Sequence, residues 1–465
     1  MKKFLSLVLA LVMTMSLVTV SAGAKDFTDS SKITYSEAVD VMSAVKVIDG
    51  YAEGDFRPST TLTRGAAAKI ICNLILGPTT AGALVADAAP YKDVPTNHTF
   101  AGYIAYCQKE GIISGYADGT FRPANSLTGY AFMKMLLGAL GYDAEVEGYT
   151  GPNWSVNVAK RALNIGLADD LNGEFNGVKA VNREEACLYA LNTLTADMVE
   201  YDAKTTVSTN GTTVVIAGSK AKEMVNNGNT DGKIFTKDGV MQFAEKYFDN
   251  LTVKTGSDDF SRPANVWKVK AEEIGTYTNT PDASYTKKVE VGDIYKDLGL
   301  GSKIEKKNVS VYVDGVANAS QPAYAITKGD DANKYGDNGV LTEVFYDDDA
   351  ETVTITEINT YIDSINKTVK ATDKKDAYVV VTAEGPVPVQ GFDNEFETDE
   401  KFEDDAYVLY TYSLSAKEIK SVEVAKSVSG EATRIENKAK VWDANKAIYI
   451  ENTAYKFSNK ADGVK

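Results

Sequence analysis

The chain has 465 residues, with 65 acidic and 49 basic side chains, so its formal net charge at pH 7 is −16. Such a polypeptide repels nucleic acid and anionic lipid in general, and an anionic partner must be held by a local cluster of positive charge. His98 is the only histidine, which nearly excludes histidine-based catalytic triads and most zinc sites. We expect His98 to serve in capping or packing.

Residues 1–24 have the composition of a secretory signal peptide. Lys2 and Lys3 precede an apolar run over residues 4–20, and Ala22-Gly23-Ala24 fits a small-residue cleavage site. The alternatives are a buried helix and a membrane anchor. Since no other stretch approaches the roughly 18 to 20 apolar residues that a membrane span needs, we expect an exported protein without a membrane span.

An internal repeat organises the next part of the chain. Residues 113–129, ISGYADGTFRPANSLTG, repeat residues 48–64, IDGYAEGDFRPSTTLTR, and a looser copy covers residues 166–183. Apolar residues then recur at i, i+4 and i+8, which is one face of a helix. These stripes are Ala67, Ile71 and Ile75; Phe132, Leu136 and Leu140; and Ala186, Ala190 and Leu194.

A shorter amphipathic segment precedes each loop, with the aligned positions Val39 and Met42, Ile104 and Cys107, and Ala159 and Ala162. Each copy therefore predicts a helix, a glycine-rich loop and a second helix. We expect the loop glycines to take positive φ, at Gly50, Gly54, Gly115 and Gly119. Residues 77–90, rich in Ala, Thr, Gly and Pro, predict a linker.

The pattern G-Y-x-D-G-x-F-x-P-x-x-x-[IL]-T-R, with the leading segment YKDVPTNH at 91–98, resembles the S-layer homology (SLH) domain. The resemblance implies three repeats, at residues 26–77, 91–142 and 149–200, that form a compact all-α module with three prongs. It also implies binding to secondary cell-wall polysaccharide, often pyruvylated, in the cell wall or S-layer of a Gram-positive bacterium.

Arg64 and Arg183 are the strongest candidates for ligand binding. Each is predicted in the first turn of a helix, where free N–H groups and the helix dipole favour an anion, and a guanidinium matches a carboxylate with two donors. The resemblance assigns such arginines to polysaccharide contacts in grooves between repeats. Gly129 takes this place in the second copy, so that groove is either inactive or binds through backbone and Thr128. Alternatively, both arginines are solvated or structural.

Other candidates surround these positions. Thr63, Thr128 and Asn182 stand where the N-cap of each second helix is expected, and Asn182 with Glu185 fits a capping box. The aromatic candidates for stacking on a sugar ring, or alternatively for plugging the core, are Tyr51, Tyr116 and Trp154. Asp29 and Asp93 are expected either to cap the first helix of a repeat or to contact ligand.

The three cysteines, Cys72, Cys107 and Cys187, each fall in an apolar helical stretch. Their odd number and non-equivalent positions argue against a disulfide framework. We expect buried free thiols, and the alternatives are a disulfide, a metal site or a nucleophile.

From residue 204 onward the composition shifts to short alternating runs rich in Thr, Val and Tyr. Residues 205–216 predict a hairpin around Asn210-Gly211, and residues 240–248 a short helix. Further strands are predicted at residues 309–313, 341–346, 353–358, 378–382, 407–412, 419–424, 440–442, 447–450 and 455–457. The fold class is thus multidomain, with the helical repeats followed by all-β, sandwich-like domains over residues 204–465, two or more in number, and small barrels are the alternative.

Two acidic runs, Asp347 to Asp349 with Glu351 and residues 393–405, do not match the spacing of a calcium loop. We expect solvated turns and no cofactor, with calcium left open. No motif singles out catalytic residues. The sequence favours a non-enzymatic S-layer or S-layer-like surface protein, with assembly into a lattice left open. The alternative is a tethered enzyme or adhesin that acts on a glycan through its β-rich region.

Overall fold

The computed structural model describes residues 27–202, 205–209, 212–216, 220–317, 321–372, 377–381, 394–398, 400–426, 429–435, 447–450 and 452–456. The predicted signal peptide and the predicted strand at 440–442 lie outside these residues. The described chain forms two compact units. The first contains residues 27–255 and 266–275, so it reaches past residue 204, where the composition changes, and the second contains residues 256–265 and those from 276 onward.

Six helices of the first unit form three helix–loop–helix pairs where the repeat predicts them. They are α1 (Ser36–Ala44), α2 (Arg64–Gly82), α3 (Ala101–Lys109), α4 (Gly129–Ala139), α5 (Trp154–Asn164) and α6 (Arg183–Thr195). The predicted stripes of the second helices are buried except at Ile75. In α5 the buried residues are Val158 and Ala162, so the predicted position Ala159 is one residue off.

The predicted linker at 77–90 begins too early. Helix α2 continues to Gly82 across a kink at Gly77, which has φ 72°. Pro78 follows directly, and proline suits the first turn of a new helix because its missing N–H is not needed there. The linker therefore starts only after this extra turn.

A ring of backbone hydrogen bonds closes the three pairs on one another. Leu62 N–H donates to the Val181 carbonyl at 2.8 Å, Val181 N–H to Leu127 at 2.9 Å, and Leu127 N–H to Leu62 at 2.9 Å. All three side chains are buried. The position that precedes the N-cap in every copy thus lies at the centre of a pseudo-threefold arrangement.

The rest of the first unit adds short strands and one helix, so this region is mainly rather than entirely helical. The elements are β1 (Val199–Glu200), β2 (Thr205–Thr209), β3 (Thr212–Ile216), β4 (Lys222–Glu223) and α7 (Phe243–Tyr247). β2 and β3 pair antiparallel as the hairpin prediction requires. Next along the chain come β5 (Leu251–Ser257), β6 (Pro263–Val269) and β7 (Glu272–Thr278), which pair as a three-stranded sheet and whose residues fall partly in the range of each unit.

The second unit is dominated by antiparallel strands around β14, whose 18 residues make it much longer than predicted. Its elements are β8 (Ala283–Tyr285), β9 (Val289–Glu290), α8 (Val291–Asp297), β10 (Val309–Val313), β11 (Val316–Ala317), β12 (Lys334–Tyr335), β13 (Val340–Asp347), β14 (Thr352–Val369), β15 (Tyr378–Val381), β16 (Glu395–Glu397), β17 (Tyr407–Ser413), β18 (Glu418–Val424), β19 (Ala432–Ile435), β20 (Ala447–Ile450) and β21 (Thr453–Lys456).

β14 pairs antiparallel with β13, β15 and β17 and parallel with β10. Two apolar clusters lie along it, one around Ile355 and one around Ile365. Helix α7 lies within the short helix predicted for residues 240–248. The all-β, sandwich-like prediction is nevertheless too simple, because α8 also lies after residue 204 and one strand pair is parallel.

Candidate functional site

The start of α2 and the loop of the second pair enclose a groove of about 430 Å³. We call it the Arg64 groove. Four of the predicted binding residues line it, together with Ser114 and Lys134: Arg64, Tyr116, Thr128 and Trp154. The fold thus gathers in one place residues that the sequence spreads over all three copies.

Arg64 reaches out of its own copy and holds the loop of the next one. Its Nε donates to the Phe121 carbonyl at 2.8 Å and its Nη2 to the Ser114 carbonyl at 3.3 Å. Both acceptors are neutral, so the positive charge is not cancelled. Burial lowers the pKa of Arg64, which means that the charge is partly desolvated and that an anion in the groove would stabilise it.

Lys134 supplies a second cation on the same wall. Its Nζ lies 5.8 Å from the centre of the Trp154 ring, and burial lowers the pKa of Lys134. Neither Lys134 nor Arg64 forms an ion pair with a carboxylate of the described residues. Two positive groups therefore face one groove without a carboxylate at ion-pair distance, although Asp93 attracts Arg64 from farther away. Sequence reasoning missed Lys134, and its spacing of 65 residues from Lys69 carries no functional signal.

Tyr116 is 41% exposed at the rim. The guanidinium carbon of Arg122 lies 4.1 Å from its ring centre and that of Arg64 lies 5.1 Å away. Arg122 also pairs with Asp118 at 2.7 Å. This arginine was missed too, although both clear copies carry an arginine between Phe and Pro, at Arg57 and Arg122.

The Arg183 side repeats this geometry on the loop of the first pair. Arg183 Nε donates to the Phe56 carbonyl at 2.9 Å and Nη2 to the Asp49 carbonyl at 2.8 Å. Its guanidinium carbon lies 4.8 Å from the Tyr51 ring centre. One difference matters for an anion: Asp49, with a carboxylate, occupies the place that neutral Ser114 has in the Arg64 groove.

The expectation of free N–H groups at these helix starts is wrong. Arg64 N–H donates to the Asn125 carbonyl at 2.9 Å and Gly65 N–H to the Pro123 carbonyl at 2.9 Å, and Arg183 N–H donates to the Thr60 carbonyl at 3.0 Å. The ring closure places a neighbouring loop on each helix start, so its carbonyls occupy the donors. Attraction of an anion must therefore come from side chains.

The three predicted N-caps are confirmed. Thr63 Oγ1 accepts from Ala66 N–H at 3.2 Å and Thr128 Oγ1 from Ala131 N–H at 3.4 Å. Asn182 completes the predicted capping box with Glu185. These polar atoms are thus engaged in holding the helix starts that frame the grooves.

Gly129 faces the loop of the third pair across a much smaller cavity of about 70 Å³. A Cβ at Gly129 would lie 3.1 Å from Gly177 Cα and 3.2 Å from the Phe175 ring. The nearby Lys179 is paired with Glu185 at 2.8 Å. The close approach of Gly177 and Phe175 to this helix start explains why position 129 is a glycine. The cavity on this side has neither an arginine nor the volume of the Arg64 groove.

Asp29 and Asp93 tie down the glycine-rich loops instead of capping the first helices. Asp93 accepts from the Phe121 and Arg122 N–H groups, both at 2.7 Å, and Asp29 holds Phe56 and Arg57 in the same way. Burial raises the pKa of each carboxyl, but the backbone hydrogen bonds outweigh it, so both pKa values lie below the ordinary value.

Two of the four loop glycines lack the positive φ that the sequence predicts for them. Gly54 and Gly119 have φ of 86° and 80° as expected, but Gly50 and Gly115 do not take positive φ. A Cβ at Gly115 would overlap the ring of Tyr91. This position therefore needs glycine because an aromatic ring approaches the backbone closely.

The remaining candidates act locally. His98 Nδ1 accepts from the Phe100 N–H at 3.1 Å at the start of α3, in line with the capping expected for it. Asp347 accepts from Ala350 N–H at 2.8 Å in the turn between β13 and β14.

Within the described ranges no group of three or more His, Cys, Asp or Glu side chains is placed to hold a metal ion. None of the helices described is long and apolar enough to span a membrane.

Comparison with known proteins matches residues 26–68 and 90–129 to the S-layer homology domain. The chain is 25% identical over 372 residues to a surface layer protein of Brevibacillus choshinensis, covering 70% of this chain and 32% of that protein. It is 36% identical over 81 residues to a cellulosome-anchoring protein of Acetivibrio thermocellus, covering 17% of this chain and 18% of that protein.

An endoglucanase of Bacillus sp. (strain KSM-635) is 26% identical over 188 residues, covering 37% of this chain and 20% of that protein. The chain thus spans at most about a third of the length of these relatives. Residues 26–68 and 90–129 are thus similar to the S-layer homology domain, and the chain resembles surface-layer and anchoring proteins of bacteria.

Proposed function

We propose that the first unit anchors the chain to the bacterial cell wall by binding an acidic secondary cell-wall polysaccharide in the Arg64 groove. The observation that carries this proposal is the pair of unpaired cations, Arg64 and Lys134, beside Trp154 and Tyr116. In a chain of net charge −16, this is a local positive site of the kind that an anionic glycan requires.

The chemistry of the groove favours a sugar that carries a carboxylate. Arg64 and Lys134 can pair with the carboxylate, and the rings of Trp154 and Tyr116 offer apolar faces for the pyranose. A pyruvate ketal places a carboxylate directly on a sugar ring, so a pyruvylated polysaccharide of a Gram-positive wall fits this set. A guanidinium and an ammonium inside a partly desolvated groove bind such a group more strongly than they would in bulk water.

Arg183, Tyr51 and Asn182 form a second, weaker site under this proposal, because Asp49 adds a negative charge beside Arg183. We further propose that residues 149–200 are a third SLH repeat, despite their looser sequence. The closed ring of Leu62, Leu127 and Val181 supports this proposal, since it requires three equivalent segments.

The second unit is proposed to be the structural part of a surface-layer protein that assembles with copies of itself. Likeness to a surface layer protein over 70% of this chain favours that role.

The second candidate function, that of an anchored enzyme, is supported by the likeness to an endoglucanase. A screen of the purified chain against wall and plant glycans tests it, and release of reducing ends would favour the enzyme.

The anchoring proposal is tested by co-sedimentation of the full chain with purified walls, before and after chemical removal of the polysaccharide. Lys134→Gln should weaken sedimentation. Lys160→Gln is the control, because Lys160 is an exposed lysine of α5 that does not line the groove. Equal binding to stripped walls, or equal loss from both variants, would overturn the assigned groove.

A further inference from the structure

Two of the three cysteines lie against each other in the core of the first unit. Cys72 of α2 and Cys107 of α3 have their Sγ atoms 3.6 Å apart, and both residues are fully buried. Each thiol also faces a carbonyl of the opposite helix, Cys72 that of Tyr103 at 3.6 Å and Cys107 that of Ala68 at 3.7 Å. These contacts hold the two side chains toward each other across the boundary between two repeats.

We propose that Cys72 and Cys107 form a disulfide in an oxidising environment and so link the first two repeats covalently. The sulfur atoms must approach from 3.6 Å to the bonded distance of about 2.05 Å. Side-chain rotation with a small shift of the two helices supplies that movement. Proteins of the cell surface meet oxidising conditions, unlike most cytosolic proteins.

The oxidant in this proposal is a low-molecular-weight disulfide. One cysteine loses its proton and attacks a sulfur of the oxidant, which releases one small thiolate and leaves a mixed disulfide. The second cysteine, deprotonated in turn, displaces the second small thiolate and closes the bond between Cys72 and Cys107. Two electrons pass from the protein to the oxidant, and the two protons end on the released small thiols.

Burial determines when this reaction occurs. The hydrogen bond with Cys72, together with burial, raises the pKa of Cys107, and the thiolate is the reactive form. Oxidation therefore proceeds before the helices close over the sulfur atoms, or during a transient opening, and it is slow in the folded chain. Cys187, buried in α6, serves as an internal reference.

The test is refolding of the full chain from denaturant with oxidised and reduced glutathione, followed by thiol titration in denaturant and peptide mapping. We expect the thiol count to fall from three to one, with Cys72 and Cys107 in one linked peptide pair and Cys187 free. The oxidised chain should unfold at a higher temperature than the reduced chain, because the link restricts the unfolded state.

Matched variants separate the outcomes. Cys187→Ser should still form the link, whereas Cys72→Ser should keep its two remaining thiols and show no difference between oxidising and reducing conditions. Three free thiols after oxidative refolding, or a link that includes Cys187, would overturn the proposal. If the Cys72→Ser chain fails to fold, the thiol count and peptide map of the wild-type chain decide the question alone.

Discussion

The guanidinium carbon of Arg64 lies 5.1 Å from the centre of the Tyr116 ring, which belongs to the following repeat. Arg183 holds Tyr51 of another repeat in the same way, at 4.8 Å. Each arginine therefore joins two repeats and also faces a groove. A change at either position acts on the repeat interface as well as on ligand binding, so binding tests need variants that separate the two effects.

The two arginine sites should differ in their contribution to wall binding. Arg64→Gln removes a charge that forms no ion pair with a carboxylate among the described residues and should weaken binding about tenfold, corresponding to about 1.4 kcal/mol. Arg183→Gln should cost less, since the loop residue whose carbonyl it contacts, Asp49, also carries a carboxylate. Sedimentation isotherms on purified walls measure both, with thermal unfolding of each variant as the control for folding. A larger loss from Arg183→Gln would reverse the assignment.

Changing the charge of one loop residue should change how strongly the adjacent groove binds the wall polysaccharide. Ser114→Asp places a carboxylate beside Arg64 and should weaken binding, whereas Asp49→Ser should leave it unchanged or strengthen it. Both positions are exposed, so neither change disturbs the core. Because exposed charges are screened by salt, the effect of Ser114→Asp should shrink as ionic strength rises. An effect independent of salt would argue for a steric cause.

Gly115 is predicted to tolerate no side chain. In Gly115→Ala the new Cβ meets the Tyr91 ring, and relieving this overlap should cost about 1–3 kcal/mol of unfolding free energy. The control is Gly82→Ala, where the added Cβ has no atom within 4 Å apart from its chain neighbours and the backbone of its own helix. Urea denaturation of both variants measures the difference. Similar stability of the two would mean that Tyr91 moves aside at no cost.

The carboxylates that hold the loops should make the first unit sensitive to acid. The folded-state pKa of Asp93 lies below its ordinary value, so its stabilisation is fully present above the unfolded value of about 3.9 and is lost as the pH falls through the folded value. Asp93→Asn should lower stability at neutral pH by on the order of 1 kcal/mol, since an amide oxygen can serve only one of the two N–H groups.

Thermal unfolding from pH 7 down to pH 3 checks this prediction. The difference between wild type and Asp93→Asn should narrow below about pH 4, as the wild-type carboxyl takes up a proton. Asp87→Asn, at an exposed position in the linker, is the control and should follow the wild type. A difference that stays constant with pH would contradict the assigned charge effect.

The sequence predicts the helix–loop–helix frame because each helical stripe and each N-cap is local in sequence. It does not predict which loop each arginine contacts. Arg64 meets Phe121 and Arg183 meets Phe56 only because the three pairs close into a ring, and closure depends on packing between distant segments. The same closure consumes the N–H groups of the helix starts, which local capping rules describe as free.

In the β-rich region, the length of β14 likewise depends on contacts with segments distant in sequence. The prediction of a strand at 353–358 captures the apolar half of β14, where Val353, Ile355 and Ile358 are buried. The continuation to Val369 is more polar, and it is held by pairing with β15 and β17 instead of by an apolar pattern of its own. Partner strands distant in sequence therefore decide its length.

In the second unit, Arg262 lies 2.7 Å from Asp258 and 3.4 Å from Glu343, and all three side chains are buried. Burial raises the pKa of Glu343 despite the attraction of Arg262, so stability is lost as the pH rises from the unfolded value of about 4.3 through the folded value. Glu343→Gln should therefore keep or raise stability at pH 7. Arg262→Gln leaves two buried carboxylates unpaired and should cost about 3–5 kcal/mol. Urea denaturation at pH 5 and pH 7 measures both, and an equal loss from the two variants would show that Glu343 is needed in its charged form.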